Sequence, residues 1–258
     1  MGTVVGIETS NRLLWSLLPP TRASVKACGV SVELERGAVL FSANQTIDSV
    51  WFIDHGVVSA SHHLCDGAEL EVALIGTEGM VGAVLALGTS VTPVVWRVCV
   101  AGTAIRVARA DFLHLLAEHS DLRAVVLGFA SVFIRQVSQA AACAAKHTIS
   151  QRLARWILTC HAKAGQRDLE ITHQSLACAL GVRRAGVTEA LHTLEGAQAI
   201  RSVRGRIILK DVDTLRSLSC GCATEFSMEA GSSPRPRVKD SILAPIGGVL
   251  QCVDLARR

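Results

Sequence analysis

Residues 172–194 read T-H-Q-S-L-A-C-A-L-G-V-R-R-A-G-V-T-E-A-L-H-T-L. Arg183 and Arg184 stand close to Glu189, with Thr188 and His192 near them. A guanidinium can form two hydrogen bonds with guanine in the major groove, and a carboxylate can accept from cytosine. A carboxylate repels phosphate, so Glu189 reads a base or orients one of the arginines. This chemistry needs all of these side chains on one exposed helix face. The flanking residues provide one. Thr172 is a suitable N-cap, and Leu176, Ala179 and Leu180 form the inner side of a short helix. Gly181 permits a tight reversal and Val182 plugs the corner. Val187, Leu191 and Leu194 then face inward on a second helix. That is a helix-turn-helix, with Arg183, Arg184, Ala185, Thr188, Glu189 and His192 left outside.

The next residues, 200–209, read I-R-S-V-R-G-R-I-I-L. They predict a β-hairpin wing whose tip places Arg204 and Arg206 for phosphate contact. Thr172, Gln174 and His192 are expected to touch the backbone of a duplex. An ordinary helical hairpin with two surface arginines is the plainer reading, and the charge pattern weighs against it. Residues 150–222 carry 11 basic and 6 acidic side chains, whereas residues 1–149 carry 10 and 12. A compact basic segment behind a slightly acidic one points to double-stranded DNA as partner of one part of the chain.

Upstream, residues 30–107 alternate in the manner of strands, with about seven short apolar runs. Gly37, His55-Gly56, Asp66-Gly67, Gly76 and Gly102 read as turns, which predicts a β-sandwich or β-roll. A short helix is expected from Asn11 until Pro19-Pro20 stops it. After Asp111 the period changes. Leu122, Val126, Phe129, Phe133, Val137, Ala140 and Ala144 recur at steps of four and three, giving one long helix to about Lys146. Its seam either packs on the β-domain or pairs with a second copy, and the parallel homodimer is the preferred reading. Thr148 and Gln151 make a capping box, so Lys146-His147 is a hinge.

The expected fold is α+β. A β-roll of the double-stranded, jelly-roll kind spans residues 10–110, a dimerisation helix and hinge 111–147, and a winged helix-turn-helix 148–222. Residues 223–258, with Gly231 to Arg237 rich in Ser, Pro and Gly, read as a flexible tail. The 258 residues are 50% hydrophobic and 19% charged, with a mean hydropathy of +0.38, which excludes a disordered chain. No segment reads as a transmembrane helix, and Glu8 interrupts any signal peptide, so a cytoplasmic protein is expected. Nine cysteines then read as reduced thiols. Cys220-Gly-Cys222 could serve metal or redox chemistry, but two free surface thiols are the preferred reading. His62-His63 reads as a solvated hairpin edge. No metal site, cofactor or catalytic residue is expected, and no nucleophile–base set, P-loop or dinucleotide fingerprint appears.

This order of parts resembles the CRP/FNR family of bacterial transcription regulators over roughly residues 10–222, most strongly in the helix-turn-helix run. The resemblance implies a homodimer on a pseudo-palindromic promoter site, with RNA polymerase as a further partner. Arg184 matches the family's guanine-reading arginine. Ala185 replaces a frequent glutamate, and Glu189 replaces another arginine, so a different site sequence is expected. In the sensor the family's Gly-Glu becomes Gly82-Ala83, its Arg-Ser becomes Thr92-Pro93, and its Thr-Ser pair on the long helix becomes Val137-Ser138. Gly82, Ala83, Val137 and Ser138 would border the effector pocket. Without the arginine a buried phosphate has no partner, so the effector is expected to be unknown and not a cyclic nucleotide. The alternative is a sensor whose main activity is to bind a cyclic nucleotide or another small molecule. Only Cys28 lies in the first 60 residues, against the N-terminal cysteine cluster of oxygen-sensing members.

Overall fold

The computed structural model describes residues 9–65 and 67–222. The predicted tail and Asp66 of the expected Asp66-Gly67 turn lie outside the described residues. The N-terminal part is one antiparallel sheet in the order β1 (Gly29–Leu34), β6 (Val95–Ala108), β3 (Ser49–His63), β4 (Glu69–Ile75). Strand β2 (Val39–Phe41) pairs with β6, and β5 (Met80–Val81) pairs with β3. The expected count of short strands is corrected here. Val50–Ile53 and Val57–Ala60 belong to one bent strand, as do the two halves of β6. Gly56 and Gly102 are bulges within paired strands, where the register shifts around His55. A Cβ on Gly102 would lie 2.1 Å from the His55 carbonyl oxygen, and one on Gly56, at φ +88°, 2.5 Å from that of Val100. Only glycine permits that approach.

Two short helices precede the sheet: α1 (Arg12–Ser16) and α2 (Pro19–Cys28). Pro19 and Pro20 end α1 as expected, but they also occupy the first turn of α2, where a missing N–H costs nothing. Buried Asn11 ties α1 to the sheet. Its side-chain amide donates to the Ile53 and Gly79 carbonyls at 2.9 and 2.8 Å, and its side-chain oxygen accepts from Leu14 N–H.

Helix α3 (Arg109–Glu118) leads into α4 (Ser120–Lys146), a 27-residue helix. Leu122, Val126 and Phe129 are buried in the β-roll core, and Phe133 stacks on Trp96 at 5.7 Å. The first part of the predicted seam is therefore intramolecular, and the dimer preference is wrong for that stripe. The opposite side of α4 remains exposed, with Leu127 at 39% and Ile134 at 58%. By length and composition alone α4 is apolar enough to cross a membrane, which the charges of Arg123 and Arg135 hid from the segment-by-segment reading. In this structure its first half completes the core of the β-roll.

The remainder follows the expected order: α5 (Ile149–Ala164), β7 (Asp168–Glu170), α6 (His173–Leu180), α7 (Arg184–Gly196), β8 (Ile200–Val203), β9 (Arg206–Leu209) and α8 (Val212–Leu218). The Thr148–Gln151 capping box is present in both directions. Strand β7 and helix α8 were not foreseen. β7 is three residues long, and it makes the wing a three-stranded sheet, β7-β9-β8.

Candidate nucleic-acid interface and effector cavity

The helix-turn-helix is set by local rules. The Thr172 hydroxyl accepts from Ser175 N–H at 3.0 Å and caps α6. Gly181 adopts φ +61°, ψ +43° at the end of α6, the left-handed conformation that glycine takes without penalty. Leu176, Ala177 and Leu180 pack against Val187, Ala190, Leu191 and Leu194. Ala177, not Ala179, is the fully inward alanine.

Outside, Arg183 caps the start of α7 and Arg184 opens it. Both are exposed, and neither guanidinium has a hydrogen bond or ion pair among the described residues. Ala185, Glu189 and His192 share this exposed side. Two backbone N–H groups at a helix start and two free cations make a surface complementary to an anion. Arg204 is exposed at the wing tip, also without a partner.

Five predicted contact residues have partners within the chain. Arg206 makes a two-point ion pair with Asp168 across the wing. Thr188 is half-buried, and its hydroxyl donates to the Arg184 carbonyl at 3.2 Å and meets a His173 ring nitrogen at 3.2 Å. The Thr172 hydroxyl is used in its cap. The exposed Gln174 amide leans on Cys178 Sγ at 3.7 Å, and the His192 ring lies 3.7 Å from the Glu195 carboxylate.

A second feature lies between α4 and the sheet. A cavity of about 260 Å³ is lined by His62, Val72, Val84, Thr92, Pro93, Val94, Trp96, Phe133, Ile134, Val137 and Ser138. Val137 and Ser138 were expected there. Gly82 and Ala83 are not lining residues: Gly82 sits at φ +91° against Val50, and Ala83 is buried in the core. His62, taken as a solvated edge, faces the cavity; His63 is exposed. The lining holds no lysine or arginine, and its hydroxyls are occupied. Thr92 donates to the Val94 carbonyl at 2.9 Å and accepts from Trp96 Nε1 at 3.1 Å, and Ser138 donates to the Ile134 carbonyl at 3.0 Å.

The winged region is joined to the sheet by a shared apolar cluster. Val57 and Leu74 of the sheet pack with Leu153, Ile157 and Leu180. Polar contacts frame this junction. Trp156 Nε1 donates to the Glu71 carboxylate at 2.8 Å, Lys163 pairs with Glu78, and Arg36 donates to the Glu170 carbonyl at 2.8 Å. Burial pushes the Glu71 carboxyl up to about 8. Burial pushes Glu78 in the same direction, but the charge and hydrogen bond of Lys163 together with backbone N–H groups, that of Gly76 among them, outweigh it and hold that carboxyl below its usual value.

Cys220 and Cys222 are free thiols, as expected, but they do not lie on the surface as expected: Cys222 is half-buried. Cys220 is buried, with Sγ 4.0 Å from Cys143 Sγ, and Cys222 and His147 join the same group. The chain leaving α8 returns to the end of α4, a contact that two-residue spacing could not reveal.

Residues 151–218 match the family of Crp-like helix-turn-helix domains, and residues 31–119 match the cyclic nucleotide-binding domain. No curated protein matched the sequence. FixK2 from Bradyrhizobium japonicum is similar in structure at a TM-score of 0.63 and 14% identity, over 74% of this chain and 98% of its own. CLP of Xanthomonas campestris, a c-di-GMP-responsive global regulator, gives 0.62 and 14%, over 74% and 98%. A protein from Eubacterium rectale assigned to the crp/fnr family of transcriptional regulators gives 0.64 and 15%, over 80% and 96%. At these identities the likeness establishes the fold.

The raised Glu71 carboxyl makes the junction sensitive to pH. Its folded pKa of about 8 exceeds the free value of 4.5, so the folded state holds the proton more tightly. The stability it contributes is complete below about pH 4.5 and is lost as pH rises to about 8. Thermal unfolding of the wild type should fall across this window relative to Glu71→Gln, which keeps a neutral acceptor for Trp156. Parallel pH profiles would contradict the assignment.

Proposed function

Because the chain belongs to the CRP/FNR family of transcription regulators, we propose that it acts as a homodimer that binds a specific, pseudo-palindromic DNA site. The observation that carries this reading is the pair of exposed guanidiniums at the first turn of α7, unpaired among the described residues, with a third exposed arginine, Arg204, at the wing tip. Arg183, Arg184 and Glu189 read base edges. Arg204, Gln174 and His192 meet phosphates, and the Arg184 position dominates the site. Thr172 and Thr188 contribute through the shape of the helices, since their hydroxyls are already bonded. Arg206 stiffens the wing through Asp168 and reaches phosphate only by leaving that pair.

The dimer forms on the side of α4 left exposed by the β-roll. Leu127, Ser131, Ile134, Ser138, Ala141 and Ala145 recur at steps of four and three, and all are exposed. Small residues there let two helices approach closely, and Leu127 and Ile134 supply the apolar area. Ile134 and Ser138 also border the cavity, so a partner helix would close its open side.

The cavity takes an uncharged, largely apolar effector. The match of residues 31–119 to a cyclic nucleotide-binding domain favours a nucleotide on ancestry, but an anion buried there would meet no lysine or arginine, at a cost of several kcal/mol. The effector bears on α4 through Phe133, Ile134 and Val137, and α4 carries the change to the hinge at His147.

Two measurements test this reading. By anisotropy titration on the cognate duplex, Arg184→Ala should weaken binding by about 1–3 kcal/mol, and added cyclic AMP should leave wild-type affinity unchanged. Unaltered affinity in the variant, or a response to cyclic AMP, would overturn the respective assignment. In sedimentation velocity, Ile134→Glu should convert the dimer to monomer, because each copy would bury a carboxylate against the other. A variant that stays dimeric would place the interface elsewhere.

A further inference from the structure

Four side chains with no part in DNA reading or in the cavity meet where α4 ends. Cys143 lies in its penultimate turn and His147 caps it. Cys220 and Cys222 follow α8. One donor atom from each lies within 4.8 Å of every other. Cys143 is 0% exposed and Cys220 7%. His147 supplies an independent sign: its Nδ1 is buried and has no hydrogen-bond partner among the described residues. A polar atom is seldom left so in a folded chain, and an unfilled ligand position accounts for it.

The geometry points to a tetrahedral zinc(II) site made by Cys143, His147, Cys220 and Cys222, joining the hinge to the end of the winged region. Three sulfurs, one imidazole and no carboxylate select a borderline-soft ion and disfavour magnesium and calcium. With Zn–S near 2.3 Å, tetrahedral S···S edges are roughly 3.8 Å. The Cys143–Cys220 separation of 4.0 Å already lies near that value, whereas a disulfide needs about 2.05 Å. Four protein ligands leave no open position, so the site is a clamp and not a catalytic centre. Three thiolates on Zn²⁺ leave a net charge of −1. The positive charge of Arg155 is near enough to all three thiols to favour their ionised form, and the Gln139 amide donates to Cys143 Sγ at 3.3 Å. Such outer contacts orient ligands and hold their charge. Loading the ion releases the thiol protons to solvent.

The consequence is mechanical. Cys143 and His147 belong to α4 and its hinge, and Cys220 and Cys222 to the chain beyond α8. The ion therefore fixes how the winged region sits on the long helix. The site does not depend on the DNA-binding reading, and its test is separate from it.

The full-length chain, purified without an affinity histidine tag, should contain about one zinc per protomer by elemental analysis. Replacing zinc with cobalt(II) should give the visible bands of a tetrahedral ion, with thiolate charge transfer in the near ultraviolet. Cys220→Ser should lose stoichiometric binding. His147→Cys should keep one cobalt per chain and strengthen the charge-transfer band. In the wild type, chelation should lower the unfolding midpoint and added zinc should restore it, a readout that stands even if Cys220→Ser fails to fold. The proposal is overturned by metal-free protein that takes up no cobalt, by binding unchanged in both variants, by a midpoint indifferent to chelation, or by a Cys143–Cys220 disulfide in the isolated protein.

Discussion

Leu122, Val126 and Phe129 lie in the core of the β-roll, so α4 cannot turn about its axis without exposing them. Burying each such side chain is worth about 1.5–3 kcal/mol, and three together resist rotation by several kcal/mol. The 3.6-residue period does the rest. With that stripe fixed inward, Val137 must face the cavity, Ile134 must border it from the exposed side, and Cys143 must turn toward the chain beyond α8. One packing constraint thus sets the cavity, the apolar surface left over and the position of Cys143 in the cysteine–histidine cluster.

The second consequence concerns coupling. The winged region is not a free module on a flexible linker. Val57 and Leu74 share its core, and Trp156, Lys163 and Glu170 reach Glu71 on the sheet, Glu78 in the turn between β4 and β5, and Arg36 in the turn between β1 and β2. A device that alters DNA affinity must work against this contact, since a coupling energy needs two states with different contacts. The junction contains groups on which such states can differ: the Glu71 carboxyl with its raised pKa, the Glu78–Lys163 ion pair, and the break between α4 and α5 at His147.

The sequence was most legible where the rules are local. The helix-turn-helix follows from the Thr172 cap, the left-handed Gly181 and an inward apolar set, all within about twenty residues. The hinge follows from the Thr148 box. It was least legible where the outcome depends on distant partners. Gly56 and Gly102 look like turns in one dimension, and only their opposing carbonyls make them bulges. The α4 periodicity marked a stripe correctly but could not say whether a sheet or a second helix covers it. Arg206 looks free until Asp168, 38 residues away in the chain, is placed beside it. Cys143 and Cys220 stand 77 residues apart, so neither spacing nor motif joined them.

The central claim is that two copies of α7 read one duplex together. Selection of bound sequences from a random duplex library, using the full-length chain, tests it most directly. The account predicts an enriched inverted repeat with half-site centres one helical turn apart, about 10–10.5 base pairs, and a guanine in each half facing Arg184. A single unrepeated element, or no enrichment over the starting library, would contradict it.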